Sequence, residues 1–217
     1  MGFDALINYT ICPNGPVLVS ASSGNKLHPE MPDRTFLKSC DNGVEKYVIP
    51  GSSLKGVIRH YLYKKQSDDL VDSLFGYSNR KDKDKENRKS RVSISVAFAD
   101  LDTIQTTVRY STSIGSVSQS AKEGSLNQCE AVIRGNFNGT MRLRSVSEAE
   151  IAMLLSALNA MNRGEICVGG RISRGFGRIS VSRFEMTVTR GYNADLTPDI
   201  IGKYTSIDDA LTHTTRR

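Results

Sequence analysis

VEKYVIPGSSLKGVIRHYLYKK, residues Val44 to Lys65, is the stretch that decides the fold. It reads as a strand, a Pro-Gly corner and a helix that opens on two serines. Leu54, Val57, Ile58, Tyr61 and Leu62 recur at helical spacing and predict a core-facing stripe. Ser52 or Ser53 is placed to cap the helix, whose first backbone N–H groups lack partners within it. Those donors and the positive end of the helix dipole suit an anionic phosphate. Lys55 and Arg59 stand in the first turns, where a helix serving structure alone favours acidic residues. The corner predicts contact with a nucleic-acid backbone.

Upstream, FDALINYTI (3–11) alternates as a first strand, and PVLVSAS (16–22) reads as a short second one. A polar, turn-rich stretch from Ser22 to Asn42, broken by Pro29 and Pro32, separates these from the strand EKYVI (45–49). Long ordered loops of this kind often carry function. Downstream, a short helix is predicted around Asp69 to Phe75, stopped by Gly76. NRKDKDKENRKSR (79–91) mixes both charge signs without apolar anchors and reads as a solvated loop.

VSISVAFADL (92–101) predicts a buried strand. TTVRYSTSI (106–114) begins as another and runs into the polar segment GSVSQSAKEGSLNQ (115–128). CEAVIRGNFNGTMRLR (129–144) returns as strand, with bends predicted at Gly135 and Gly139. SEAEIAMLLSALNAMNRG (147–164) is the clearest helix, with a Ser147–Glu150 capping box and a stop at Gly164. A glycine-rich turn then leads into a long alternating strand ending near Arg190, and the tail from Gly191 reads as a peripheral turn or helix. Helices on one face of an antiparallel sheet predict an α+β, ferredoxin-like arrangement.

The 217 residues suit one domain, and 38% apolar content is enough for a core. A net charge of +6 suits a polyanionic partner. No apolar run is long enough to span a membrane and no signal peptide leads the chain, so a cytoplasmic location without membrane partners is expected. Cys12, Cys40, Cys129 and Cys167 form no CxxC pair, and His28, His60 and His213 are scattered. A structural zinc site is not expected.

A second corner stands out in GGRISRGFGR (169–178), where Gly169 and Gly170 precede Arg171, Arg174 and Arg178. Glycines let a backbone approach a ligand closely, and arginines fork onto phosphate oxygens. The same glycines suit a tight connection between helix and strand. Four glycines among three arginines tilt the balance toward RNA or DNA backbone contact.

IPGSSLKG, LFG (74–76), RVSISVAFADL (91–101) and VGGRISRGFGR (168–178), in this order, resemble the RAMP superfamily of CRISPR proteins. The likeness is to the repeating backbone subunit of type III (Csm/Cmr-type) effector complexes, and it spans nearly the whole chain. It implies a single RAMP domain over 1–217, a modified RRM palm with insertions and a protruding β-hairpin thumb. The insertions fall at 22–44 (a catalytic loop), 77–91 (a charged loop) and 109–128 (the thumb). Several copies of such a subunit stack along one crRNA guide beside other effector subunits, and each thumb interrupts the duplex with single-stranded target RNA. By position the resemblance assigns RNA binding to Ser52, Ser53, Lys55, Arg59, Gly169, Gly170, Arg171, Arg174 and Arg178. RRM-type aromatic stacking is not evident on the central strands.

The family also places a catalytic aspartate in the loop before IPGSSLKG. Here that loop reads MPDRTFLKSCDNG, and Asp33 fits best by spacing. The resemblance implies that Asp33 holds Mg²⁺ or another divalent cation while the adjacent 2′-OH attacks the phosphate in line. Without the family Asp33 reads as a turn residue beside Pro32, and Asp41 before Asn42-Gly43 reads as a turn residue either way. Glu30 and His28 have no clear counterpart, and His60 reads as a surface or groove residue. The thumb departs from the family's Ile-Asp-Arg step, reading Ile114-Gly115-Ser116, and the stretch VLVSASSGNKLHP is also altered. A binding-only subunit of the same complex is the main alternative, and a stand-alone processing endoribonuclease is the third.

Overall fold

A computed structural model of the chain describes residues 2–20, 31–77, 87–114, 119–122, 124–192 and 198–215. In chain order these form β1 (Phe3–Pro13), β2 (Lys38–Asp41), β3 (Val44–Ile49), α1 (Gly51–Tyr63), α2 (Asp68–Phe75), β4 (Val92–Ile94) and β5 (Ala97–Ala99). Next come β6 (Gln105–Ser111), β7 (Asn127–Arg134), β8 (Phe137–Val146), α3 (Glu148–Asn162), β9 (Ile179–Tyr192), β10 (Pro198–Tyr204) and α4 (Ile207–Thr215).

β1 sits at the centre because it alternates cleanly, turning Ala5, Ile7, Tyr9 and Ile11 inward. β8 and β9 flank it, both antiparallel, and β4 and β5 pair with the far edge of β8. The path β1-α1-β4/β5-β8-α3-β9 with spatial order β9-β1-β8-β5 is a ferredoxin-like βαββαβ unit. β10 extends one edge and β3 with β2 the other. Leu54, Ile58 and Leu62 of α1 and Ile151, Leu154, Leu155 and Leu158 of α3 enter one core with the inward side of the sheet. The fold class read from the sequence holds.

Local predictions hold where the signals were strong. α3 carries the capping box, Ser147 Oγ accepting the Glu150 N–H at 3.2 Å while Glu150 Oε2 accepts the Ser147 N–H at 2.9 Å. Glu150 is also ion-paired to Arg91 and accepts the Ser73 hydroxyl, so one buried carboxylate ties α3 to α2 and to the start of β4.

Other readings are corrected. PVLVSAS is no strand in its described part: Val17 makes only an isolated bridge with Val132, and Leu18 and Val19 are buried under the glycine-rich loop. VSISVAFADL breaks into β4 and β5, with Val96 exposed between them. Gly135 separates β7 from β8, but Gly139 lies inside β8, where a Cβ would meet the Tyr9 hydroxyl at 2.6 Å. The polar excursion contains β2, which forms a hairpin with β3 through Asn42 and Gly43, both at positive φ. The tail supplies an edge strand as well as a helix, α4 burying Ile207 and Ala210. Among the described residues no helix is long and apolar enough to cross a membrane.

β6 and β7 form a separate two-stranded sheet, the hairpin expected as a thumb. Tyr110, Ile114 and Leu126 on it are largely exposed. His28, Glu30, most of the charged 79–91 run and residues 115–118 of the hairpin lie outside the described residues.

Candidate nucleic-acid interface

The Pro-Gly corner starts the helix two residues earlier than a Ser52 cap requires and three earlier than a Ser53 cap. Pro50, at φ −61° and ψ 138°, is the N-cap and makes no side-chain cap; its carbonyl accepts the Ser53 and Leu54 N–H groups at 3.0 and 3.3 Å. Ser52 and Ser53 therefore lie inside the first turn, Ser52 exposed and Ser53 half-buried. Gly51 is required here because the helix start presses on the strand beneath: a Cβ would come 2.1 Å from the Ile94 carbonyl oxygen.

The two cations of this helix are turned to the protein itself. Lys55 Nζ donates to Ser90 Oγ at 2.6 Å and to the Val92 carbonyl at 2.9 Å. Burial lowers the Lys55 pKa, and the Arg59 charge lowers it further. Arg59 pairs with Asp72 of α2 at 2.9 Å and donates to the Tyr63 hydroxyl. On the other side of α1, Gly56, His60 and Lys64 face Cys167 and Ile172 across a cleft of about 480 Å³.

The glycine-rich loop is held down by backbone. Gly169, at φ +90°, lies so close to the 16–19 segment that a Cβ would sit 2.2 Å from the Leu18 carbonyl oxygen. The Gly170 N–H donates to that oxygen at 2.9 Å, and Phe176 is buried with Leu18, Cys129 and Ala131 beneath the loop. The glycines serve the tight connection, which leaves the arginines facing out. Arg171 takes a left-handed conformation, φ 60°, and donates to Ser111 Oγ of β6 at 3.1 Å. Arg174 is exposed. Arg178 points elsewhere, its guanidinium lying over Gly164 just beyond α3.

Asp33 reaches the same region from the opposite side. Its Oδ2 accepts the Gln128 N–H of β7 at 2.6 Å. Arg34 bridges Cys129 as a parallel partner, its N–H donating to the Gln128 carbonyl at 3.2 Å and its carbonyl accepting the Glu130 N–H at 2.8 Å. Glu130 also anchors the chain beyond Arg34, accepting the Phe36 N–H at 3.0 Å and the Tyr47 hydroxyl at 2.9 Å. Burial and that carboxylate push the Tyr47 phenol up to about 12.

The result is one polar cavity of about 300 Å³ under the hairpin, lined by Arg34, Ser111, Asn127, Arg171 and Arg174 among others. Arg34, Arg171 and Arg174 are thus brought together; Asp33, one residue from Arg34, does not itself line the cavity, and neither do Lys55, Arg59 and Arg178. Sequence reasoning missed Arg34, Ser111, Asn127 and Glu130. The pairing that collects them joins residues as far apart as Asp33 and Gln128, and no local pattern announces it.

A sequence model of the RAMP superfamily matches residues 35–180, more than half the chain. The chain belongs to the RAMP superfamily. Comparison with curated protein sequences gives no match. Among solved structures, this RAMP protein is similar to a chain in the cryo-EM structure of the type III-B Cmr-beta complex bound to cognate target RNA. The TM-score is 0.62 at 16% identity, over 84% of this chain and 60% of that one. At that identity the likeness speaks for the RAMP fold alone, and this chain spans well under two thirds of its neighbour's length.

Cation chemistry can be judged from the donors. Among the described residues no three His, Cys, Asp or Glu side chains gather into a metal site.

Proposed function

We propose that this RAMP protein is a crRNA-binding backbone subunit of a type III CRISPR interference complex in the cytoplasm, stacked with further copies of itself and other effector subunits, and that Asp33 takes part in cutting target RNA. The observation that carries this reading is the convergence of Arg34 beside Asp33, the loop end of the β6–β7 ladder and the arginines of the glycine-rich loop on one polar cavity. Arg171 and Arg174 contact the RNA backbone there, with Gly169 and Gly170 shaping the loop. The α1 corner adds the Ser52 and Ser53 hydroxyls, the first N–H groups of the helix and the remaining N–H of Lys55. Arg59 acts in this reading first as a brace to α2, and Arg178, exposed beside Gly164, extends the basic surface for the RNA backbone.

The exposed Tyr110, Ile114 and Leu126 suit an apolar hairpin that wedges between bases and splays a target strand. A splayed nucleotide brings its 2′-OH into line with the neighbouring phosphate. The 2′-oxygen bonds to phosphorus, the P–O5′ bond breaks, and a cyclic phosphate and a 5′-OH result. Asp33 orients the 2′-OH and takes its proton. Asp33 would be the residue that holds a divalent cation, which would supply neutralisation of charge on the phosphate.

A binding-only subunit is the second reading, favoured by the structural use that Gln128 makes of the Asp33 carboxylate. Asp33→Asn separates the two, because the amide oxygen still accepts the Gln128 N–H while the negative charge is gone. In the assembled complex, target cleavage should fall about 10²–10⁴-fold with target affinity retained. Undiminished cleavage overturns the assignment to Asp33, and a wild-type complex that binds target without cutting it leaves the binding role.

A further inference from the structure

Three guanidinium groups share one small cavity, and the described residues that line it include no carboxylate. Arg171 spends one N–H on Ser111, whereas among the described residues Arg34 and Arg174 have no side-chain hydrogen bond or ion pair. Like charges held together in a concave site repel one another unless an anion joins them. The site is also built rather than fortuitous. Arg34 is fixed by two backbone hydrogen bonds to β7, and Arg171 is held at a positive φ that a glycine would adopt at lower cost. The neutral lining groups, Ser111, Thr112, Ser113 and Asn127, are those that donate to phosphate oxygens.

We infer that Arg34, Arg171 and Arg174 form a cradle for a single phosphodiester group of the RNA strand that passes between the hairpin and the glycine-rich loop, with Arg34 as its third ligand. This rests on the RNA-binding reading above. Arg34 immediately follows Asp33, which sets the cradle within one residue of that carboxylate. Two sides of the cradle come from different parts of the chain, Arg34 against β7 and the other arginines in the loop before β9. A strand entering between them is gripped from both sides.

The test uses the full chain and a short single-stranded RNA, in versions that carry one uncharged methylphosphonate linkage at each position in turn. Wild-type affinity should drop about tenfold when the cradled linkage is neutralised. Arg34→Ala should lower the affinity for unmodified RNA by a similar factor and make the salt dependence shallower by about 0.7 in log–log slope. In that variant, neutralising the same linkage should cost little further, since the contact is already gone. Arg34→Lys should restore part of the affinity. Arg34 is exposed, so these variants should fold as wild type does.

Wild-type affinity and slope in Arg34→Ala, with every linkage penalty unchanged, would overturn the cradle while leaving RNA binding intact. A wild-type protein that binds no RNA at all overturns the functional reading itself. Inorganic phosphate competing as well as RNA on a per-site basis would identify a free-anion site and also overturn the assignment to a strand.

Discussion

The two glycine-bearing corners look alike in sequence and differ in what their cations do. IPGSSLKG carries Lys55 and Arg59, and GGRISRGFGR carries Arg171 and Arg174. In the first, both cations bond inward, to Ser90, Val92, Tyr63 and Asp72. In the second, Phe176 and the glycine backbone anchor the loop, and the arginines are left over the hairpin cavity. Basic residues beside glycines are therefore not equivalent evidence for a phosphate site. What matters is whether something else already holds the loop in place, so that the charge is released for a ligand.

Substitutions at the glycines of the first corner should shift stability most. Gly51→Ala puts a methyl within 2.1 Å of the Ile94 oxygen, and backbone on both sides cannot yield cheaply. It should destabilise the chain by about 3 kcal/mol in chemical denaturation. Gly56 is the reverse case. Nothing lies within 4 Å of a Cβ there, so Gly56→Ala should stabilise the helix by up to about 1 kcal/mol. If RNA backbone runs along the cleft beside Gly56, the same variant should bind RNA more weakly while being more stable. A gain in stability without loss of affinity would confine the α1 contact to the first turn.

Much of this architecture was legible because it rests on local patterns. The apolar stripes of α1 and α3, the capping box at Ser147 and the alternation of β1 each state a side chain's direction within a few residues. Their order is enough to define the ferredoxin-like path. β2 and β10 were not legible, since KSCD and PDIIGKY are edge strands whose exposed faces leave no clean alternation. The candidate site was half legible. Asp33 and the loop arginines stand out by type and spacing, but the cavity that joins the neighbouring Arg34 to those arginines depends on residues 33–36 joining β7, a tertiary pairing with no local signature. The inward turn of Lys55 and Arg59 was hidden for the same reason, because Ser90 and Asp72 are partners only once the chain has folded.

The hub at Glu150 gives the comparison a pH dependence. Burial pushes the Glu150 carboxyl up, but the Arg91 guanidinium, the Ser147 N–H and the Ser73 hydroxyl outweigh it, and its pKa is lowered. A carboxyl lowered on folding stabilises the protein above its unfolded pKa, and that contribution is lost as pH falls through the folded value. Stability should decline on the acid side of the usual glutamate range, and Glu150→Gln should flatten that limb in denaturation series. The hub joins α2, α3 and β4, and two of these, α2 and β4, are the elements to which Arg59 and Lys55 brace α1; it does not touch the hairpin. Acid should therefore loosen the first corner before the cavity, with RNA affinity at moderate acidity following the cavity. Loss of affinity in step with stability would mean that the two corners act as one unit.

The smallest effect is expected at Arg59, and it bears most directly on the difference between the corners. Its pair with Asp72 is partly solvent-exposed, 33% and 30% for the two side chains, so Arg59→Ala should cost no more than about 1 kcal/mol of stability. Because the guanidinium is already engaged by Asp72 and Tyr63, RNA affinity should change by less than about twofold, and the salt slope should stay as it is. Asp72→Asn supplies the converse: it frees Arg59 without removing it. If the inward bonds are what keep this cation from RNA, Asp72→Asn should tighten RNA binding and steepen the salt slope. A loss of roughly tenfold in affinity for Arg59→Ala would instead show that the cation leaves Asp72 for phosphate when RNA arrives. The first corner would then be a latent grip that opens on binding, and the contrast would lie between a preformed site and one that the ligand assembles.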